Sequence, residues 1–234
     1  MRHGIVGDIH EPFAHPMYRV FCLDVFDSWG VDAVTFIGDV VDFHAVTFHT
    51  PDPNGMSAGY EADAAAVGVA KWREAFPKAR VCIGNHDERV FRVARSVGIP
   101  DRFIKSYADV WETPGWTWDF DFEIDGVLLQ HGTNTSGKFP AFNQAMTRRQ
   151  PVAQGHNHSA GGVKFHASRH DRIFGMDTGC GIDDKAYAMA YGKTSATRSV
   201  LGCGVIIDGA AYFEPMPCGE GEKYHRNRAK RRAA

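Results

Sequence analysis

Residues 80–89, RVCIGNHDER, join a short apolar run to a cluster of polar side chains. The first part, VCI, has the composition of a buried strand, and a glycine ends it. Asn85, His86 and Asp87 follow at once. An amide, an imidazole and a carboxylate therefore stand together at the end of a buried strand, and their partners must be sought at the ends of other strands.

Four other apolar runs end in the same way, in the motifs GDIH, GDVVD, QHG and GHNH. These motifs supply seven further polar residues: Asp8, His10, Asp39, Asp42, His131, His156 and His158. In open α/β sheets, ligands bind outside the carboxyl ends of the strands, so we expect one convergent site. A buried group of carboxylates and imidazoles is costly unless a cation compensates it. The joint pattern predicts a metal centre.

The ligand types narrow the choice of metal. Carboxylate oxygen, amide oxygen and imidazole nitrogen without thiolate suit Mn, Fe or Zn better than a structural zinc site, and the imidazole content is too high for calcium. Seven candidate ligands are too many for one ion and fit two ions that share a carboxylate. We expect two divalent ions, with Mn²⁺ as the first choice and Fe, Zn or Ni as alternatives.

The order of the elements predicts an α/β fold. Strand-like and helix-like segments alternate through the first half, which indicates βαβ units and a parallel sheet. The second half is rich in strands, and residues 117–132, TWDFDFEIDGVLLQHG, alternate about an Asp–Gly turn as a hairpin does. We expect two packed mixed β-sheets flanked by helices.

The charge distribution separates a body from a tail. The chain has 234 residues, and the last twelve, residues 223–234, contain six Lys or Arg and no acid. Residues 1–222 therefore have a net charge of −8. We expect a single domain over 1–222 and a basic tail that either holds nucleic acid by counterion release or is a frayed, solubilising end.

The cellular setting is predicted from absent features. Five scattered cysteines form no CxxC pair, which favours reduced thiols and a cytoplasmic location. The sequence contains no run of about eighteen apolar residues, so no membrane span is expected.

The motif order D-x-H, GD-x-x-D, GNHD, H and GH-x-H, spread over residues 8–158, resembles the calcineurin-like metallophosphoesterase family. The resemblance implies the αββα sandwich of that family and hydrolysis of a phosphoester at two metal ions. Phosphoprotein phosphatases carry Arg where this chain has Phe43 and Glu where it has Asp87. The chain therefore looks most like the small phosphoesterases of bacteria and phages.

The resemblance also implies a role for each residue. One ion would be held by Asp8, His10 and His158, and the other by Asn85, His131 and His156. The carboxylate of Asp39 would be shared by both ions. His86 would protonate the leaving oxygen or hold the phosphate, and Asp42 would orient His86 through its other ring nitrogen. A position beside the helix dipole is a sufficient reason for Asp87.

The function expected from this resemblance is attack on phosphorus by a metal-bridging hydroxide, in a phosphodiesterase or nuclease acting on a nucleotide or nucleic acid. A nucleotide phosphomonoesterase and a non-catalytic metal-binding scaffold are the alternatives. The candidate substrate-binding residues lie in loops beside the motifs: His44, His49, Asn134 and Lys138. The aromatic segment 100–118 could stack a base or pack against the body.

Overall fold

The computed structural model describes residues 1–47, 55–186 and 198–217. Over these ranges the chain forms two packed mixed β-sheets with helices on the outside, which confirms the predicted α/β architecture. No helix within the described ranges has both the length and the apolar character needed to cross a membrane.

The first sheet contains six strands of the described chain in the order β11-β10-β1-β2-β3-β4. Their bounds are β1 (Arg2–Val6), β2 (Ala33–Phe36), β3 (Ala79–Cys82), β4 (Trp116–Asp119), β10 (Gly202–Ile207) and β11 (Ala210–Pro215). Strands β1 to β4 are parallel, whereas β10 is antiparallel to both β1 and β11. Helices α1 (Tyr18–Trp29) and α2 (Ala58–Ala75) are the crossovers that parallel pairing requires.

The second sheet contains five described strands in the order β5-β6-β7-β9-β8. Their bounds are β5 (Asp121–Ile124), β6 (Val127–Gln130), β7 (Val152–Gln154), β8 (Gly161–Ala167) and β9 (Arg172–Thr178). Strands β6, β7 and β9 are parallel. Helix α5 (Pro140–Arg148) packs on β7 and β9, and the shorter helices α3 (Arg89–Ser96) and α4 (Tyr107–Val110) follow β3.

The hairpin predicted over residues 117–132 is only partly present. Asp125 and Gly126 adopt left-handed φ values of 51° and 77° and join β5 to β6, as an Asp–Gly turn should. Residues 117–119 instead belong to β4, which pairs with β3 in the first sheet. The chain changes sheets at Phe120. Alternation alone could not reveal this change, because a strand of either sheet shows the same period of two.

Two apolar layers hold the strand ends in place. Ile5 of the first sheet and Ile37, which follows β2, lie in one apolar cluster with Leu129 and Met176 of the second sheet. On the other face of the first sheet, Trp72 of α2 lies in a cluster with residues of α1 and β2. Full burial of one large apolar side chain contributes about 1.5–3 kcal/mol, so this double layer is a rigid support for the loops beyond the strands.

Candidate metal centre

The parallel strands of both sheets end at the same place. Asp8 and His10 follow β1, Asp39 follows β2 and Asn85 follows β3, and the three other predicted ligands follow β6 and β7: His131, His156 and His158. The two sets meet where the His156 main-chain N–H donates to Asp8 Oδ2 at 2.7 Å. The structure thus brings all seven predicted metal ligands to one edge.

One group of four side chains can hold an ion. One ligand atom each from Asp8, His10, Asp39 and His158 lies within 4.8 Å of the others. His158 Nε2 is 3.3 Å from Asp8 Oδ2, and His10 Nε2 is 3.5 Å from Asp39 Oδ2. The two Nε2 atoms of His10 and His158 face each other at 3.1 Å, so both rings point into the same space.

A second group shares the Asp39 carboxylate. Asp39, His131 and His156 also place one ligand atom each within 4.8 Å of the others. His131 Nε2 lies 3.2 Å from Asp39 Oδ2 and 3.1 Å from Asn85 Oδ1, which adds the amide oxygen to this group. Because Asp39 belongs to both groups, the arrangement can hold two ions with one carboxylate between them.

The donor set fits divalent cations by two tests. Asp8 Oδ1 is buried without a hydrogen-bond partner in the described chain, although a buried carboxylate oxygen normally has one. The ring orientations also suit a metal, because His131 Nδ1 lies 3.1 Å from the carbonyl oxygen of Ile37. A carbonyl only accepts, so Nδ1 carries a proton, and Nε2 is the nitrogen that can bind a cation once its own proton is lost.

The glycines of the motifs provide space for the carboxylates. A Cβ on Gly84 would lie 2.1 Å from Asp39 Oδ1, and a Cβ on Gly155 would lie 2.0 Å from Asp8 Oδ1. Either distance is impossible without moving a candidate ligand. The G of GNHD and the G of GHNH are therefore required by close approach of the side chains opposite them.

Three candidate ligands have a left-handed backbone conformation. His10, Asp39 and His156 adopt positive φ values of 52°, 48° and 69°. Left-handed backbone is uncommon for residues other than glycine, although Asp and His adopt it more readily than most, and it is often found at functional sites. Each of these residues lies two to four positions beyond the end of its strand, in the loop that reaches the common centre.

His86 lies next to the first group with its ring fixed at one nitrogen. Its Nδ1 is 2.7 Å from the main-chain oxygen of Asp42 and 3.2 Å from the carboxylate Oδ1 of the same residue. That carboxylate oxygen is closer to His10 Nδ1, at 2.6 Å. Asp42 thus contacts both rings, with its carboxylate nearer to the candidate ligand His10 and its carbonyl nearer to His86.

The electrostatics of the site favour a cation. Burial would raise the pKa of Asp39, but the neighbouring His131 and His86 rings hold it well below its ordinary value. Burial lowers the pKa of His131, yet Asp39 and Asp8 outweigh this effect and raise it to about 9. A metal ion must therefore compete with a proton for His131.

Asp87 has a different environment from the one expected. Helix α3 begins only at Arg89, and the buried Asp87 carboxylate instead accepts from the main-chain N–H groups of Gly84, Val40 and Val41 at 2.9, 3.1 and 3.3 Å. It fastens the loop after β3 to the loop after β2. The helix-dipole explanation of Asp87 is therefore replaced by a structural one.

Glu61 is a site-supporting residue that the sequence patterns did not indicate. Its buried carboxylate accepts from the main-chain N–H groups of His44 and Ala45 at 2.6 and 2.8 Å. Helix α2 thereby fixes the chain that leaves the GDVVD motif. The only sequence signal was one acid in the first turn of an alanine-rich helix, which is ordinary for a helix start.

The candidate substrate residues have less uniform positions. His44 is half-buried, with Nδ1 4.0 Å from Asp42 Oδ2, while His49 lies outside the described residues. Asn134 lines a cavity of about 200 Å³ that His131 also lines. Lys138 is exposed.

The aromatic segment mainly packs against the body. Trp111 and Trp116 are buried in the apolar layer outside the first sheet, and Tyr107 stacks on Trp118 with ring centroids 5.2 Å apart. Only Phe103 of this segment remains a largely exposed aromatic, at 69%. Of the two interpretations of residues 100–118, packing is the one that these contacts favour.

No protein-family model matches the chain, and no curated protein matches it. Among solved structures, it is similar to a candidate diadenosine tetraphosphatase (16% identity, TM-score 0.45, 93% of this chain and 95% of that one). It is also similar to the Escherichia coli phosphoesterase Yfce, with 15% identity and a TM-score of 0.43 over 89% of this chain and 89% of that one. A third similar structure is Chaetomium thermophilum Vps29, with 9% identity and a TM-score of 0.47 over 94% of this chain and 90% of that one. Because all three TM-scores are below 0.5, the function must be argued from the site itself.

Proposed function

We propose that the chain is a metal-dependent phosphoester hydrolase of the calcineurin-like type. The observation that carries this proposal is the pair of Asp/His groups sharing Asp39 beside the partnerless Asp8 Oδ1. Three ligands would hold each ion, Asp8, His10 and His158 on one side and Asn85, His131 and His156 on the other. Bound divalent ions, Mn²⁺ first among them, would supply Lewis acidity toward phosphoryl oxygens and lower the pKa of coordinated water.

His86 is the residue best placed to act on the leaving group. The carbonyl of Asp42 accepts from its Nδ1, which leaves Nε2 as the atom directed away from the fixed side of the ring. The pKa of His86 is raised, because Asp39 and Asp42 outweigh the opposing effect of burial. His86 would therefore hold a proton for the leaving oxygen or donate a hydrogen bond to the phosphoryl group.

Two generic substrates test the class of reaction. Metal-depleted protein should not hydrolyse p-nitrophenyl phosphate or bis-p-nitrophenyl phosphate, and added Mn²⁺ should restore turnover of at least one. Equal turnover with and without metal would contradict the proposal. Two bound ions without turnover of either substrate would favour the scaffold alternative.

Within this class, we propose a nucleotide or nucleic-acid phosphodiester as the substrate. Residues 126–170 contain no Asp or Glu but five Lys or Arg, although the body as a whole is acidic. Lys138 and Lys164 of this stretch are exposed, and Lys164 Nζ lies 3.8 Å from the ring centroid of the half-exposed Phe139. Exposed cations beside an aromatic ring suit a phosphate backbone and a stacked base.

The position of residue 217 supports a role for the basic tail. Strand β11 runs parallel to β1, since each is antiparallel to β10, and so it ends on the side where Asp8 lies. The N–H of Met216 donates to Leu201, and that of Val200 to His158, which ties this part of the chain to the site. Residues 223–234 lie outside the described residues, and we propose that they tether nucleic acid.

Salt dependence separates these contributions. Single-stranded DNA should bind the metal-loaded protein with an affinity that falls with salt, and the double variant Lys138→Glu/Lys164→Glu should lower both affinity and salt slope. Lys78→Glu, at the opposite end of the sheet, is the matched control.

Deletion of residues 223–234 tests the tail. If the salt dependence of DNA binding is unchanged by this deletion, the tail is not the tether. Preference for p-nitrophenyl phosphate and nucleoside monophosphates would favour the phosphomonoesterase alternative.

A further inference from the structure

Arg89, the first residue of α3, places a guanidinium beside His86. Its Nη2 atom is 3.2 Å from His86 Nε2. Its Nη1 atom donates to the main-chain oxygens of Asp42 and Phe43 at 3.1 and 2.8 Å. The guanidinium is therefore fixed on one side by the GDVVD loop, and its other side faces the ring nitrogen that we assign to the substrate.

No carboxylate of the described residues pairs with this half-buried cation within 4.0 Å. Its hydrogen-bond contacts are two carbonyl oxygens and one imidazole, and none of these groups carries a negative charge. Cations removed from water are normally paired or bind an anion. A guanidinium only donates, so His86 Nε2 accepts from Arg89 Nη2 in this structure. An anion placed beside these two nitrogens would accept from Arg89, and also from His86 once its Nε2 carries a proton.

We propose that Arg89 binds a non-bridging phosphoryl oxygen of the substrate. Nη2 would exchange its contact with His86 for the oxyanion, while the two carbonyl contacts of Nη1 hold the guanidinium in place. Charge-assisted hydrogen bonds from a guanidinium to a phosphate are among the stronger polar contacts in proteins. The reaction assigned to the substrate rests on the proposed function, whereas anion binding by Arg89 rests on these contacts alone.

Inorganic phosphate is the probe for this inference. Calorimetric titration of the metal-loaded full chain should show that Arg89→Ala weakens phosphate binding by about 10- to 100-fold, with unchanged metal content. Arg89→Lys should recover part of the loss. Arg95→Ala is the matched control, because Arg95 lies on the same helix and pairs with the exposed Asp101 at 2.6 Å. It should bind phosphate within about twofold of the wild type.

If Arg89→Ala fails to fold, Arg89→Gln decides, since its amide can still donate to a main-chain carbonyl. Wild-type phosphate affinity in Arg89→Gln, or no phosphate binding by the metal-loaded wild type, would overturn the inference. Turnover by the wild type with unchanged KM in Arg89→Gln would overturn the Arg89 inference and leave the hydrolase proposal standing. Phosphate binding that depends on Arg89, in a protein without turnover, would support the Arg89 inference and contradict the hydrolase proposal.

Discussion

The carboxylate Oδ1 of Asp42 accepts a hydrogen bond from His10 Nδ1 at 2.6 Å. This contact fixes the His10 ring with Nε2 toward Asp39 and His158, an arrangement typical of metal-ligating histidines supported by a carboxylate. Burial opposes the ionisation of Asp42, but hydrogen bonds from His10 and His86 hold its pKa below the ordinary value. Asp42 therefore supports the metal side of the site as well as the His86 side.

Asp42→Ala should lower the affinity for Mn²⁺ by about 10- to 100-fold, because His10 loses the group that sets its ring orientation. Calorimetric titration of metal-depleted protein measures this change, and the exposed Asp63→Ala is the control. Wild-type metal affinity combined with reduced turnover would instead show that Asp42 acts only through His86.

His86→Ala should retain its metal ions and slow turnover by about 10²- to 10⁴-fold, the usual scale for loss of a general acid. Metal analysis and steady-state kinetics on the same preparation separate the two effects. The exposed His166→Ala is the matched control. Full activity in metal-loaded His86→Ala would remove this residue from the mechanism.

Asp87→Asn should lower the free energy of unfolding of the metal-free protein by about 1–3 kcal/mol at pH 5. The loss should be smaller at pH 7.5, because burial raises the pKa of Asp87 to about 7 and the amide avoids the cost of the buried charge. One oxygen of the carboxylate is replaced by an NH₂ group that faces buried N–H donors, which leaves donors unpaired. Urea denaturation provides the measurement, with the exposed Asp63→Asn as control. A variant within about 0.5 kcal/mol of the wild type at pH 5 would show that the three N–H contacts contribute little.

Asp177→Asn should stabilise the protein at pH 7.5. Burial raises the pKa of Asp177 to about 6, and the Ala141 N–H bond at 3.2 Å only partly opposes this. The folded protein favours the protonated acid, so its contribution to stability is present below about pH 4 and is lost as pH rises through about 6. The gain from Asn should be on the order of 1–3 kcal/mol at pH 7.5 and should shrink toward pH 4.

Denaturation of Asp177→Asn and Asp177→Ala at both pH values checks this expectation. Asp177→Ala should be less stable than Asp177→Asn, because the Ala141 N–H at the start of α5 loses its acceptor. Equal gains from Asn at pH 7.5 and pH 4 would contradict the assigned ionisation.

The convergence of strand ends could be predicted from the sequence because it depends on chain-local features. A buried parallel strand is an apolar run, and the residue after it must lie at the edge of the sheet. Asp8, Asp39 and Asn85 each occupy that position, and the structure brings them together. A glycine precedes each of these residues and allows another part of the chain to approach closely, but the sequence does not show which part.

The supporting contacts could not be predicted in this way. Arg89 belongs to a helix whose sequence looks like an ordinary charged surface, and its direction depends on where the GDVVD loop passes. Glu61 reaches that loop from a helix that begins fourteen residues after position 44, a pairing fixed only by tertiary packing. The change of sheet at Phe120 likewise depends on tertiary pairing, because β4 pairs with β3 and β5 pairs with β6.

The central claim is that two ions held by these side chains are needed for phosphoester hydrolysis. Mn²⁺ titration of metal-depleted protein, with bound ions counted per chain and bis-p-nitrophenyl phosphate turnover followed in parallel, tests it most directly. We predict two ions per chain, turnover that rises with the second, and loss of both loading and turnover in Asp39→Asn. Full turnover with one ion or none, or full loading of Asp39→Asn, would contradict the account.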